Sequence, residues 1–266
     1  MCRAADQSAG LFTEYYVDLA EPAAEATVVQ RLRDAGLVTF GGLARRNEII
    51  AFASSVMAMT AHRDSDPDGL TTIRDIPRLR DLTGYSGLGR GELLPHTDGS
   101  SLPEPPRLMM LVCERPADRG GECLLIDGQR LHADLSVQSQ EAAVKLSQPR
   151  TAYFGAGNGH ATQVFTVHPG GRLSIRLRQD DLAHWSPVVA PYVPYLRDAI
   201  SRHQHRLTLT TGQGYLVDNH RWLHARTGFS GDRRFLRALG DPHIPLAPGF
   251  VIAAGIDVSQ VASEAA

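Results

Sequence analysis

Between residues 21 and 35 the apolar positions Ala24, Val28 and Leu32 recur every four residues, which predicts a helix that Gly36 stops. The run Leu37-Val38-Thr39-Phe40 follows at once and predicts a buried strand ended by Gly41-Gly42. A second helix is expected over 47–60, with Asn47 as its N-cap. An Asp-rich loop should follow over 62–69, where Pro67 and a closing glycine oppose regular structure.

From about Thr71 the pattern changes to short apolar runs separated by turn residues. Strands are predicted over 107–113, 122–127, 163–168, 173–178, 206–210, 215–218 and 233–239, with helices interrupting at 141–146 and 194–205. The 173–178 run alternates cleanly: Leu173, Ile175 and Leu177 take one face, Ser174, Arg176 and Arg178 the other. Many short strands with Gly and Pro turns imply an α+β, mainly β chain. Its core is expected to be a double-stranded β-helix (a jelly roll, cupin-like) over about 70–245, with flanking N-terminal helices over about 15–65. No repeat or low-complexity linker divides residues 1–266, so one domain is expected. No glycine-rich phosphate loop follows a strand, which disfavours nucleotide cofactors.

Composition adds mainly exclusions. The net charge of −2 gives no sign of a nucleic-acid surface or of attraction to anionic lipid. Cys2, Cys113 and Cys123 form neither a paired framework nor a close-spaced metal motif. A Cys113–Cys123 bridge is geometrically feasible on neighbouring strands, but free thiols in a reducing, cytoplasmic setting are expected. Residues 1–10 lack the apolar core of a signal peptide, and no apolar run approaches the roughly 20 residues that cross a bilayer. The expected partner is a small-molecule substrate rather than nucleic acid or membrane, and the oligomeric state stays open.

The segment Leu94-Pro95-His96-Thr97-Asp98-Gly99 carries the first candidate chemistry. In extended chain, residues two apart share a face, so His96 and Asp98 can offer a nitrogen and a carboxylate oxygen to one ion. Much later, 214–227 supplies two further histidines, His220 and His224, which strand periodicity alone does not separate. Two histidines and one carboxylate with open positions are the donor set of non-haem Fe(II) oxygenases.

At these residues the chain resembles the taurine dioxygenase (TauD/TfdA-like) family of Fe(II)/2-oxoglutarate dioxygenases. The matching pieces stand in the family's order: His96-Thr97-Asp98, Pro103-Glu104-Pro105-Pro106, Gly120-Gly121-Glu122, Asp218-Asn219 before Leu223-His224, and the Arg233-Arg234-Phe235-Leu236-Arg237 segment. The resemblance implies Fe(II), 2-oxoglutarate and O2 as cofactors, with His96, Asp98 and His224 as metal ligands, His224 being favoured over His220. Retention of Asp98 argues against a halogenase. An arginine after the last histidine would bind the far carboxylate of 2-oxoglutarate, as a guanidinium fork suits a carboxylate.

Arg233 and Arg237 have the family's four-residue spacing and would share a face; the alternative register turns Arg234 inward. In the register that turns Arg233 and Arg237 inward, Arg237 would meet either co-substrate or an anionic group of the substrate. Cys123 stands where the family usually has a threonine that helps bind 2-oxoglutarate, and a thiol is the weaker donor. The interval from His224 to the arginine segment is slightly short for the family.

Tyr85 and Glu92, in and after the glycine-rich loop 84–91, are candidate substrate contacts. Arg176, Arg178, Asp180 and Asp181 read either as a reader of charged substrate or as a surface ion-pair group. The loops 62–69 and 155–161 are candidate lids. The expected activity is hydroxylation of an unactivated C–H bond of a small, polar, amino-acid-like metabolite; desaturation, cyclisation or epoxidation are related outcomes. The rivals are a facial-triad iron enzyme that does not use 2-oxoglutarate and a metal- or ligand-binding barrel without turnover.

Overall fold

The strand Leu108–Arg115 is apolar on both faces: Leu108, Met110 and Val112 look one way, Met109, Leu111 and Cys113 the other. Such a strand must be covered on both sides, and in the computed structural model it lies inside a layered β structure. The structure describes residues 8–252 apart from residue 81; Cys2 and the rest of residues 1–7 lie outside the described residues.

A seven-stranded sheet runs Tyr16–Val17, Leu37–Phe40, Gly214–Asp218, Leu108–Arg115, Arg234–Pro242 and Met57–Met59, with Thr71–Arg74 also paired to Arg234–Pro242. All its pairings are antiparallel except that of the first two strands. Facing it is a four-stranded antiparallel sheet ordered His205–Leu207, Cys123–Asp127, Trp222–Arg226 and Leu93–His96. Met109, Tyr215, Val217, Phe235 and Leu239 of the large sheet meet Cys123, Leu125, Leu207 and Trp222 of the small one, closing a double-stranded β-helix.

Helices cover both outer faces. Val28 and Leu32 of Ala24–Asp34, with Ile49 and Ala53 of Arg46–Val56, pack on Val38, Met110, Leu216 and Leu236. Such short helices draw most of their stability from this docking, and truncating Leu32 to alanine would cost about 2–5 kcal/mol. Gly128–Gln138, Gln140–Ser147 and Val193–Arg202 cover Ile126 and Leu223 on the other side.

Several boundaries differ from the sequence expectation. The helix expected over 47–60 stops at Val56, because Met57–Met59 instead pairs with Gly240–Pro242. Asn47 is not its cap: the Glu48 carboxylate accepts the Arg45 N–H at the helix start. Gly128–Gln138 was not foreseen; its start is fixed by the Asp127 carboxylate, which accepts the Gln129 N–H at 3.0 Å. The strand expected over 173–178 ends at Ile175, although Leu173, Ile175 and Leu177 are all buried. Cys113 and Cys123 are buried free thiols. No helix among the described residues is long and apolar enough to cross a membrane.

Candidate active site

Side-chain alternation in the small sheet decides what enters the barrel. In Trp222–Arg226, Leu223 packs outward, so Trp222, His224 and Arg226 turn in. Leu93–His96 pairs antiparallel beside it with His96 directly opposite His224, and the two ring centroids lie 4.3 Å apart. Asp98 follows two residues later in a turn. Thr97 points away, its hydroxyl accepting the Leu177 N–H at 3.2 Å.

Asn219 fixes that turn. Fully buried, it accepts the Asp98 N–H at 2.8 Å and donates to Asp98 O and Pro106 O, both at 2.9 Å. Gly99 adopts φ +66°, and a Cβ there would stand 2.7 Å from Pro106 Cδ, so the chain turns here only with glycine.

The ligand atoms of His96, Asp98 and His224 all lie within 4.8 Å of one another. His96 Nδ1 pairs with Leu94 O at 2.8 Å, which leaves Nε2 for the cleft. Asp98 Oδ1 accepts from Arg237 Nη1 at 2.6 Å. Its buried Oδ2 has no hydrogen-bond partner and stands 3.4 Å from His224 Nε2. Burial pushes His96 down to about 3, with the His224 imidazole adding to the effect. Burial alone would raise the Asp98 carboxyl, but the Arg237 guanidinium and the two imidazoles hold it well below the usual carboxylate range. Two imidazoles beside a carboxylate with a bare oxygen are a donor set that fits a divalent iron ion.

His220 is not in this cluster. It lies in the turn between Gly214–Asp218 and Trp222–Arg226, where its N–H donates to Asp218 Oδ1. That turn breaks the two-residue periodicity, so residues 220 and 224 do not lie along one strand.

The arginine strand settles its own register. A bulge shifts pairing with Leu108–Arg115 between Arg234 and Phe235, and Arg233, Phe235 and Arg237 turn inward. Arg234 lies at the surface beside Glu114 and Asp232, so the register that turned it inward is not the one adopted. Arg233 is 3% exposed, stacked 3.7 Å from the Phe235 ring centroid. Its described hydrogen bonds run to Gly121 O at 3.1 Å and Cys123 Sγ at 3.7 Å, neither of them a carboxylate.

Gly121 takes φ +74°, and a Cβ would come within 2.9 Å of Arg233 Cδ. Arg226 is a second buried guanidinium, donating to the carbonyls of Gly87, Gly89 and Gly91 with no salt bridge among the described residues. Burial, and then the charge of Arg233, lowers it to about 10.

Around the mouth, Tyr85 lies beneath the Arg63 guanidinium, 4.0 Å from its ring centroid, while Glu92 is exposed and outside the ligand cluster. Arg178 forks onto Asp180, and Gln179 Nε2 donates to Pro95 O beside the first ligand. Arg176 donates to Leu102 O and Pro103 O, bracing the chain after Asp98, and Asp181 is exposed. The 62–69 loop is tied down by Arg46, which pairs with Asp66 and Asp68.

His62 opens the 62–69 loop, and nothing in the sequence marks it as a site residue. It is half-buried, and burial together with the charge of Arg237, opposed by Asp98, lowers its pKa. Arg226 and Tyr215 were likewise not singled out. Asn219 enters the sequence analysis only as part of the Asp218-Asn219 motif.

Among curated proteins, the chain is 26% identical over 175 residues to "Dioxygenase str8" of Strobilurus tenacellus, covering 60% of this chain and 40% of that protein. It is 28% identical over 147 residues to "Uridine-5'-phosphate dioxygenase" of Amycolatopsis sp, covering 49% and 54%. The chain thus spans about half the length, or less, of these relatives.

Among solved structures, the asparagine oxygenase complex with Fe(II), 2S,3S-3-hydroxyasparagine and succinate matches with TM-score 0.65 and 15% identity, over 83% of this chain and 80% of that one. The non-heme iron oxygenase OrfP with Fe, succinate and (3S)-hydroxy-L-Arg matches with TM-score 0.65 and 12% identity, over 83% and 81%. These two share the fold. The family model described as "Taurine catabolism dioxygenase TauD, TfdA family" matches residues 6–239, and the chain belongs to that family.

Proposed function

We propose that this chain is an Fe(II)- and 2-oxoglutarate-dependent dioxygenase that hydroxylates an unactivated C–H bond of a small, polar, amino-acid-like metabolite. The co-products are succinate and CO2 from 2-oxoglutarate and O2. His96, Asp98 and His224 would hold the iron, which when bound supplies the oxidising chemistry and the open positions for co-substrate and O2. Arg233 takes the far carboxylate of 2-oxoglutarate, with Cys123 beside it. Arg237 donates to Asp98 Oδ1, which would leave Oδ2 to bind the metal. A buried charge is expensive unless paired, and Arg233 has no carboxylate among its described partners. That missing acid beside a ligand triad is the observation that carries the reading.

The amino-acid-like substrate is supported by the charged mouth, where Arg178 and Asp180 carry opposite charges and Tyr85 lies under the Arg63 guanidinium. Two fold neighbours hold hydroxylated amino acids, 3-hydroxyasparagine and (3S)-hydroxy-L-Arg. The test is succinate formation by anaerobically purified protein given Fe(II), 2-oxoglutarate and air, beside His96→Ala. Succinate from the wild type alone supports the reading. A wild type that binds iron but fails to bind 2-oxoglutarate directly would sink it.

A further inference from the structure

One polar group inside the barrel is left without a task by the triad and Arg233. Tyr215 sits on Gly214–Asp218, opposite Leu111 and Thr39 on the flanking strands. Its side chain enters the space between the two sheets and is 1% exposed. A buried phenol normally finds a partner. Here it shares its buried cluster with the Cys123 thiol, a poor hydrogen-bonding group.

The Cys123 sulfur is 3.7 Å from Arg233 Nη2, so the tyrosine and the guanidinium flank the same thiol. The pocket is therefore rich in strong donors and poor in strong acceptors. A carboxylate brings two acceptor oxygens and the missing negative charge. Burial raises the Tyr215 phenol well above its ordinary value, so it remains a donor across the physiological range.

We propose that Tyr215 is a positioning residue whose hydroxyl donates to the far carboxylate of 2-oxoglutarate beside Arg233, making the hydrogen bond that a threonine at position 123 would make. This rests on the co-substrate reading above. It accounts for cysteine at 123: with the donor supplied from the opposite sheet, position 123 needs only to be small and apolar enough to admit both groups.

The test is calorimetric binding of 2-oxoglutarate and of 2-oxobutyrate, which lacks the far carboxylate, to anaerobic Fe(II)-loaded protein. Tyr215→Phe should weaken 2-oxoglutarate about tenfold, the loss expected of one hydrogen bond to a charged group, and leave 2-oxobutyrate unchanged. Adding Cys123→Thr to Tyr215→Phe should restore most of the loss. Unchanged affinity for 2-oxoglutarate, or equal losses for both ligands, would overturn the assignment.

If Tyr215→Phe does not fold, fluorotyrosine placed at position 215 alone gives a second readout. Its fluorine resonance should move with 2-oxoglutarate and stay with 2-oxobutyrate, and an equal response to both would overturn the proposal. A wild type that binds neither 2-oxo acid overturns the co-substrate reading itself, which separates that failure from one specific to Tyr215.

Discussion

Replacing Asn219 with alanine removes three hydrogen bonds at once, to Asp98 N, Asp98 O and Pro106 O, at a residue with no solvent exposure. Each such bond contributes about 1 kcal/mol net, and each backbone group stranded without water costs about 1–3 kcal/mol. The expected loss is about 3–5 kcal/mol, a large part of the stability of an ordinary domain. It should appear as a lower urea midpoint with an unchanged slope in metal-free protein. The same bonds hold the backbone on both sides of the Asp98 carboxylate, so Fe(II) affinity, measured by chelator competition, should fall about 10–100-fold. Asn219→Asp is a sharper control. It keeps an acceptor for Asp98 N–H but sets a carboxylate oxygen against two carbonyls, so it should be at least as damaging as alanine. Stability within about 0.5 kcal/mol of wild type, with unchanged metal affinity, would refute the view that this side chain positions the ligand turn.

Gly121→Ala should push Arg233 out of place, since the added Cβ meets its Cδ at 2.9 Å and φ is +74°; 2-oxoglutarate affinity should drop at least tenfold while iron affinity stays near wild type. Arg226→Met should free the loop whose Gly87, Gly89 and Gly91 carbonyls it holds, so limited proteolysis should cut near these glycines in the variant before the wild type. His132 is buried against Phe165, and burial lowers it to about 4. Below its unfolded value near 6.5 the unfolded chain takes up the proton first, so folding stability falls as pH drops from about 6.5 to about 4, by roughly 3 kcal/mol from this group. His132→Leu should remove that share of the slope in urea midpoints taken across this window; identical slopes would show that the ring titrates freely.

The fold was legible where periodicity is local. Leu37–Phe40 and the helix carrying Val28 and Leu32 follow from spacing alone, because each buries one face on a neighbour close in sequence. Met57–Met59 was not legible, since its helix-like apolar content is overridden by pairing with Gly240–Pro242, far along the chain. Gly128–Gln138 was hidden differently: glycine opens it, and its apolar positions Leu131 and Leu135 are few. Only the Asp127 cap marked its start, and that residue also ends a strand, so the same aspartate read as a stop.

The site divides along the same line. His96 and Asp98 announce themselves by adjacency, and the family order of motifs brings in His224, which the cross-strand pairing sets opposite His96. Tyr215, Arg226 and His62 gave no such sign, because their importance lies in what other strands and loops put beside them. Tyr215 matters through Cys123 on the facing sheet, and Arg226 through three carbonyls of a loop more than a hundred residues earlier. Arginine content was equally uninformative: this chain uses arginine almost everywhere, with Lys145 its one lysine. What distinguishes Arg233 from Arg115 or Arg234 is the environment. The latter two stand at the surface near Asp232, where pairing is worth little, whereas Arg233 is enclosed by two aromatic rings with no carboxylate partner among the described residues. An enclosed, uncompensated cation is costly to keep, and so it points to an anion arriving from outside the chain more strongly than any count of charges can.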